Sequence, residues 1–188
     1  MSALDPKFKE KVEELLGTMK ESVSMLYEAA TRDGKTGVYN NKFFENILDM
    51  EIAKAKRGQE KLSLFVVDID FFKKVNDKYG HLRADDLLIR LAKVLLKQFR
   101  KSDIVSRFGG EEFFILLPET DLKKAKKITA RLRTAVKSDA LLKKHGVTIS
   151  GGLTEFRKKD TKKKFKQRAD KSLYKAKESG RDRFVAIE

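Results

Sequence analysis

The chain of 188 residues contains no cysteine, no tryptophan, two prolines, two histidines and no apolar run as long as a membrane span. Without cysteine it has neither a disulfide framework nor a thiolate metal site, and two histidines argue against a histidine-rich zinc site. The first residues also lack the basic and apolar regions of a secretory signal peptide. These absences predict a cytoplasmic protein with no membrane segment in this chain.

Positive charge is what the chain has in excess. Its 43 Lys and Arg residues outnumber 28 Asp and Glu residues, which gives a formal net charge of +15. Such a charge favours polyanionic partners, among them nucleotides, nucleic acid and acidic lipid, without choosing among them. Hydrophobic residues make up 40% of the chain, which is enough for a packed core.

Two glycines and two glutamates, residues 109–112, lie between the apolar runs 103–108 and 113–117. A Gly-Gly pair in this setting predicts a tight β-hairpin, because glycine accepts the positive φ angles that such turns need. The adjacent Glu111 and Glu112 repel each other, and a divalent cation would compensate them. The alternative is a solvated acidic turn that binds nothing.

A second acidic element follows the apolar run 61–67, which has the length of a buried strand. Asp68 comes directly after it, and carboxylates at the carboxyl end of a strand point into the crevice where α/β sheets bind ligands. If this strand lies beside the hairpin, Asp68 and Glu111 face each other in an oxygen-only site suited to Mg²⁺. Such a site predicts phosphoryl or nucleotidyl transfer. The alternative is that Asp68, or more readily Asp70, caps the following helix.

The order of apolar patterns predicts strand, helix, hairpin, helix, strand, helix and strand. This βαββαβ core is an α+β fold with an antiparallel sheet flanked by helices, which we expect on one face. Residues 1–30 form an N-terminal helix ahead of the domain at 31–188, and its apolar positions are spaced alternately by four and three, as in a coiled-coil stalk. These seam positions are Val12, Leu16, Met19, Val23, Leu26 and Ala30. The alternative is a helix packed on its own domain.

These motifs resemble the GGDEF domain of diguanylate cyclases from residue 33 to the end of the chain. Residues 107–113 resemble the family's signature hairpin in its Gly-Gly-Glu-Glu-Phe form, and residues 68–77 resemble its metal strand and the following turn. Residues 80–85 resemble its Gly-His-x-x-Gly-Asp segment, and residues 169–181 its basic C-terminal helix and turn. The resemblance implies a palm, or nucleotidyl cyclase-like, ferredoxin-like fold. It also implies an enzyme that joins two GTP molecules into cyclic di-GMP and releases two pyrophosphates.

By the same resemblance Asp68, the Ile69 carbonyl and Glu111 hold Mg²⁺ or Mn²⁺, and Glu112 assists them. Asn76 and Asp85 would bind the guanine edge, which an aspartate reads well because adenine lacks the donor pair that it accepts. Cationic side chains and a helix N-terminus would hold the triphosphate. The full set implied to bind GTP is Phe71, Phe72, Lys73, Asn76, His81, Asp85, Lys177 and Arg181.

One domain binds one GTP, so the implied reaction needs two domains facing each other in a symmetric homodimer. The N-terminal seam would raise their effective concentration, and its start near residue 1 predicts a fragment of a longer signalling protein with an upstream sensory domain. Arg100 and Asp103 have the Arg-x-x-Asp spacing of the family's inhibitory site for cyclic di-GMP, and Arg131 stands where a second arginine often joins it. The alternatives for these residues are a chance occurrence, since Arg and Asp are abundant in this chain, and a salt bridge at a helix end.

The chain departs from the family pattern at Lys35, which replaces the leucine of Asp-x-Leu-Thr, and at Ala84, which replaces a glycine. Neither change removes a ligand. Two other functions compete with the cyclase. An RNA-recognition module shares the βαββαβ pattern, but acidic residues would repel a phosphate backbone, so we expect no nucleic-acid partner. A silent domain that senses GTP or cyclic di-GMP would have lost a metal ligand or a phosphate-binding lysine, and all of these are present.

Overall fold

The computed structural model describes residues 5–58 and 60–188. Within them the strands are β1 (Tyr39–Asn40), β2 (Leu62–Ile69), β3 (Ile104–Gly109), β4 (Glu112–Pro118), β5 (Ile149–Glu155) and β6 (Phe184–Ile187). The helices are α1 (Pro6–Thr31), α2 (Asn41–Gly58), α3 (Phe72–Gln98), α4 (Leu122–Ser138), α5 (Ala140–Lys144) and α6 (Lys162–Glu178). The predicted order of elements is confirmed from β2 to β6, with β1 and α5 added to it.

The six strands form one sheet in the order β1-β3-β4-β2-β5-β6. The four central strands are antiparallel neighbours, whereas β1 and β6 join the two edges in parallel. The antiparallel sheet expected from the sequence is therefore the centre of a mixed sheet. β2 lies in the middle and is buried along its whole length, as its continuous apolar run predicts.

Helices cover both faces of the sheet, so the expectation of helices on one face was wrong. Phe65, Val67 and Ile69 of β2 belong to the core formed with α3, α4 and α5. The alternate residues Leu64 and Val66 belong to a second core formed with α2 and α6. Successive side chains of a strand point to opposite faces, and here each face has its own apolar cover.

α6 lies very close to β5 because Gly151 and Gly152 occupy the middle of that strand. A Cβ atom added at Gly152 would come within 2.2 Å of both the Ala169 carbonyl oxygen and the Leu173 nitrogen. Both are backbone atoms of α6, and backbone cannot turn aside as a flexible side chain can. Glycine is therefore needed for this contact, which determines where the C-terminal part of α6 lies.

α1 is exposed along its length except at Thr31, and Asp5 caps its start by accepting a hydrogen bond from the Lys7 N–H. Its predicted apolar seam faces solvent: Leu16 is 59% exposed and Leu26 is 70% exposed. Packing of the described part of the seam on its own domain, the alternative raised by the sequence, is therefore not observed. Residues 1–4 of the predicted stalk lie outside the described residues, and the domain boundary near residue 30 stays a prediction. None of the described helices combines the length and the apolar character needed to cross a bilayer.

Replacing Gly152 with alanine should destabilise the fold, because the added methyl group meets helix backbone and overpacking of this kind costs about 3 kcal/mol. The free energy of unfolding, measured by urea denaturation, would show the loss. Gly17→Ala is the matched control, since a Cβ there meets nothing within 4 Å. In the α1 helix this control should be neutral or stabilising by up to about 1 kcal/mol. Equal stability of the Gly152 variant and the parent would contradict the required close approach.

Candidate active site

The predicted hairpin is confirmed, and its tip lies between β3 and β4. Gly110 has a φ of 51°, which is the left-handed conformation that the Gly-Gly pair predicted. Gly109 pairs with Glu112 across the tip, and the register shifts between Arg107 and Gly109 as in a β-bulge. Arg107 Nε donates to the Gly110 carbonyl at 2.9 Å and so holds the turn that carries Glu111.

Asp68, near the end of β2, lies directly opposite Glu112 of β4. Directly opposed residues of antiparallel strands share one face, here the face covered by α2 and α6. Asp68 is only 5% exposed. Burial raises the pKa of Asp68, the hydrogen bond and charge of Lys177 oppose this rise, and the nearby charges of Glu111 and Asp70 add to it.

The pKa of Glu112 is raised in the same way, first by burial and then by the charge of Asp68, with smaller contributions from Asp170 and Glu111. Lys177 opposes the rise. Asp68, Glu111 and Glu112 thus lie near one another, since the charge of Glu111 disfavours the ionised forms of both Asp68 and Glu112. This is the convergence predicted from the sequence. We refer to these three residues as the acidic cluster.

The cation nearest to the acidic cluster in the described structure is Lys177, whose Nζ lies 2.8 Å from Asp68 Oδ1. The donor set also fits Mg²⁺, because Asp68 and Glu111 offer carboxylate oxygens and a second cation would relieve their repulsion. In residues 5–58 and 60–188, no three acidic or histidine side chains are arranged to hold a metal ion. A metal at this position would therefore need further oxygens, from a backbone carbonyl such as that of Ile69 or from a bound phosphate.

The connection from β2 to α3 has an unusual backbone conformation. Phe71 precedes the helix with φ 54° and ψ 34°, in the left-handed region, and no side chain among the described residues caps the helix start. The first-turn N–H groups of Phe72 and Lys73 can therefore bind an anion. The Phe71 ring is half exposed, and the Arg181 guanidinium lies 4.3 Å from its centroid.

Asp70 does not cap α3, so the capping interpretation was wrong. It is buried and accepts hydrogen bonds from Thr148 Oγ1 at 2.7 Å, Ser150 Oγ at 2.6 Å and the Asp182 N–H at 3.0 Å. The first two bonds join the end of β2 to the start of β5, and the third joins it to the turn after α6, in which Arg181 and Asp182 both have positive φ. Strained backbone of this kind persists where surrounding contacts hold it, and here it places Arg181 beside the helix start.

The residues expected to bind guanine lie on α3, on either side of a kink at Gly80 with φ 78°. His81 Nδ1 is 3.2 Å from Asn76 Oδ1, so His81 contacts Asn76 and orients its amide. Asp85 Oδ2 is 2.6 Å from Lys35 Nζ. Sequence reasoning missed the role of Lys35 as a partner of Asp85; the signal available was its departure from the family pattern.

One residue predicted to bind the triphosphate, Lys73, makes no polar side-chain contact with the other predicted site residues that the structure describes. Lys73 is exposed and, in the part of the chain that the structure describes, forms no hydrogen bond or ion pair with the other predicted residues. Lys74, which the sequence did not single out, places its Nζ 4.6 Å from the centroid of the Phe71 ring. The cations that the structure gathers near the helix start are thus Lys74 and Arg181, with Lys177 beside the acidic cluster.

Arg100, Asp103 and Arg131 lie together at the end of β3 that is opposite to the hairpin tip. Asp103 is buried and accepts a hydrogen bond from the Arg100 backbone N–H at 2.8 Å. Burial raises the pKa of Asp103, and the Arg100 hydrogen bond and charge oppose the rise. Arg131 donates from Nη2 to the Gln98 carbonyl, which brings α4 to the same turn. The exposed Arg100 side chain does not form the helix-end salt bridge that was one alternative.

This fold and this acidic hairpin define a nucleotidyl cyclase-like domain. The family model described as diguanylate cyclase, GGDEF domain, matches residues 30–183. The chain therefore belongs to the GGDEF diguanylate cyclase family.

Curated relatives match most of this chain. Diguanylate cyclase DgcP of Pseudomonas aeruginosa is 39% identical over 163 residues, which cover 83% of this chain and 24% of the relative. Response regulator PleD of Caulobacter vibrioides is 35% identical over 173 residues, which cover 89% of this chain and 38% of the relative. The chain spans less than half the length of the curated relatives it matches.

Solved structures extend the similarity to α1. The coiled coil and GGDEF domain of DgcB from Caulobacter crescentus, solved in complex with c-di-GMP, superposes with a TM-score of 0.85 at 28% identity. The match covers 99% of this chain and 100% of that one. Diguanylate cyclase SiaD of Pseudomonas aeruginosa, solved with its activator SiaC, superposes with a TM-score of 0.80 at 34% identity, over 96% of this chain and 71% of that one.

Glu112→Gln should stabilise the protein at neutral pH, because the raised pKa of Glu112 means that its ionised form is disfavoured in the folded state. A carboxyl group with a raised pKa destabilises the folded protein at pH values above its ordinary pKa of 4.5. Below that pH the group is protonated in both the folded and the unfolded state, so the stability gained by the substitution should vanish. Urea denaturation at pH 7 and at pH 4 measures the free energy of unfolding of the variant and of the parent. Glu21→Gln, on the exposed surface of α1, is the control and should leave the free energy of unfolding unchanged at either pH. Unchanged stability of the Glu112 variant at pH 7 would show that the repulsion is already compensated.

Proposed function

We propose that the protein is a diguanylate cyclase that condenses two GTP molecules into cyclic di-GMP with release of two pyrophosphates. The observation that carries this proposal is the acidic cluster at the hairpin tip, with Lys177 and Arg181 beside it. The name diguanylate cyclase, which relatives at 39% and 36% identity carry, supports the same reaction. In each half-reaction a 3′-hydroxyl oxygen of one GTP bonds to the α-phosphorus of the other, and the bond to pyrophosphate breaks.

Asp68, Glu111 and the Ile69 carbonyl would hold Mg²⁺ or Mn²⁺, which supplies charge neutralisation at the phosphate oxygens when bound. The basic side chains have a separate task. A phosphate oxygen 4 Å from a carboxylate is repelled by about 4 kcal/mol at an effective dielectric near 20, so the acidic cluster alone would reject the substrate. Lys177, Arg181 and the open N-terminus of α3 at Phe71–Lys73 offset this repulsion and orient the triphosphate.

Asn76 and Asp85 would bind the guanine edge, with His81 orienting the Asn76 amide. A carboxylate accepts from guanine N1–H and the 2-amino group, whereas adenine presents an acceptor at N1 and has no 2-amino group. The base would thus lie on α3 and the triphosphate at the N-terminus of the same helix. One helix would therefore hold both ends of the nucleotide.

A single domain offers one such site, so closing the cyclic product requires a homodimer with two sites facing each other. The exposed seam of α1 supports this assembly, because a row of apolar side chains with heptad spacing favours pairing with a second copy. A coiled coil of this kind raises the local concentration of the two domains and would connect them to a regulatory domain. The greater length of the curated relatives is compatible with such a further domain.

Arg100, Asp103 and Arg131 would form an inhibitory site for cyclic di-GMP. Their grouping supports this role, since the exposed Arg100 can bind guanine or phosphate bidentately while Arg131 reaches the same turn from α4. The buried Asp103 carboxylate holds the Arg100 backbone in place.

Incubating the purified protein with GTP and Mg²⁺ and resolving the nucleotides by chromatography tests the proposal. Cyclic di-GMP and pyrophosphate in a ratio of one to two are the expected products. GTP binding without turnover would instead identify a silent domain that senses the nucleotide. The absence of both binding and turnover would overturn the family-based assignment for this chain.

Glu111→Gln should lower the rate of cyclic di-GMP synthesis by at least about 100-fold, because one charged ligand of the cation is lost at the reacting phosphate. Its circular dichroism spectrum and unfolding midpoint should match the parent. Glu60→Gln is the control, since Glu60 is exposed and precedes β2 at the end of the strand remote from Asp68. Full activity of the Glu111 variant would refute its assignment as a ligand.

Arg100→Ala should raise the cyclic di-GMP concentration that halves activity by at least about tenfold, because a charged bidentate contact is removed. The initial rate without product should stay that of the parent, since Arg100 lies at the far end of β3. Lys101→Ala removes an adjacent exposed cation and serves as the control. Superimposable inhibition curves for the Arg100 variant and the parent would dismiss the inhibitory site.

A further inference from the structure

Lys35 lies where it can contact the nucleotide base. Its Nζ is 2.6 Å from Asp85 Oδ2, and both side chains are part-exposed, at 41% and 35%. The two residues are 50 positions apart, so the tertiary fold and not local sequence brings them together. A half-exposed ion pair adds little to stability, which leaves both groups available to a ligand.

The turn that carries Lys35 is held firmly. Asp33 accepts hydrogen bonds from the Thr36 N–H at 2.9 Å and the Thr36 hydroxyl at 2.6 Å, and its carbonyl accepts from the Gly37 N–H. Arg107 Nη1 lies 3.2 Å from Asp33 Oδ1. Burial would raise the pKa of Asp33, but these hydrogen bonds and the Arg107 charge outweigh it and lower the pKa. Lys35 therefore extends from a fixed backbone toward Asp85.

We propose that Lys35 and Asp85 act together as a guanine-reading pair, in which Lys35 donates to the O6 atom of the base. The inference rests on the proposed function, since it takes guanine as the ligand of Asp85. It adds a specificity-determining residue at a position where the family pattern has leucine, a side chain that cannot donate a hydrogen bond.

The chemistry of the pair matches the Watson–Crick edge of guanine. That edge presents an acceptor at O6, a donor at N1 and a donor at the 2-amino group. Asp85 has two carboxylate oxygens for the two donors. The Lys35 ammonium has three donors, of which one reaches Asp85 and two remain, so it can reach the O6 atom next to N1. Lys35 can thus keep Asp85 as a partner while it binds the base.

The same pair rejects adenine at two positions. The 6-amino group of adenine would face the Lys35 ammonium, donor against donor, and N1 would face the Asp85 carboxylate, acceptor against acceptor. A site built to pair with defined polar groups discriminates strongly against a base that leaves them unpaired. A leucine at position 35 would provide only the second of these two conflicts.

Binding of 3′-deoxy-GTP to Lys35→Met, measured by calorimetry with Mg²⁺, tests the proposal. The analogue lacks the attacking hydroxyl, so it binds without turnover. Loss of a hydrogen bond from a charged donor should weaken binding about tenfold. The corresponding 6-thio nucleotide, whose sulfur is a weak acceptor, should lose less than about twofold on the same substitution. The 3′-deoxyinosine triphosphate keeps O6 and should again lose about tenfold.

Lys54→Met is the matched control, because Lys54, whose side chain is 49% exposed, also forms an ion pair, with Glu51 at 2.5 Å, and the change removes the same charge. It should leave all three affinities within about twofold of the parent, which separates a contact with the base from general attraction of the triphosphate. Lys35→Arg should retain most of the affinity. Equal or tighter binding of 3′-deoxy-GTP by Lys35→Met, or an equal loss with the 6-thio nucleotide, would overturn the inference. Failure of the parent itself to bind 3′-deoxy-GTP would instead count against the proposed function.

Discussion

Repulsion between the buried Asp68 and the partly exposed Glu111 and Glu112 is the constraint on which the rest of the site depends. Asp68 lies on the central strand, is nearly inaccessible to water and directly opposes Glu112. Burial and neighbouring charge both disfavour ionisation there, which the fold tolerates because Lys177 pairs with Asp68. A fold selected for stability alone would place an apolar pair at these positions. Retaining charge at the end of a central strand therefore costs stability, and the proposed binding of cations and phosphates would account for this cost.

The scaffold around this cluster is correspondingly rigid. Gly152 lets the α6 backbone touch β5, so the position of the helix that carries Lys177 is determined by backbone contact. Asp70 then joins the end of β2 to the start of β5 through Thr148 and Ser150, and to the turn of Arg181 through the Asp182 N–H. Both anchors are buried, and they hold cationic side chains that are themselves partly exposed. Positioning and ligand binding are thus divided between different residues, and the exposed cations can respond to a ligand without disturbing the core.

Local sequence patterns were enough to predict the hairpin, the buried strand and the nearness of Asp68 to Glu111. Each of these follows from a rule that acts over a few residues, such as the φ requirement of Gly110. The strand β1 and the helical cover of both faces of the sheet depend on contacts between segments that are remote in sequence. With two residues, β1 is also too short to show any periodicity. The glycines of β5 carried a signal for the second helical layer, since strand glycines often mark close approach of backbone. The pairing of Lys35 with Asp85 left no local trace apart from a charged residue at an apolar position.

The contact between Lys177 and Asp68 has a consequence for the order in which ligands are accepted. A divalent ion arriving by itself would have to compete with an ammonium group already hydrogen-bonded to the carboxylate, and the displaced lysine would gain no new partner. An ion that arrives with a nucleoside triphosphate brings phosphate oxygens to which the lysine can transfer. Under the proposed function, the free protein should accordingly discriminate against bare metal ions and bind metal and nucleotide together.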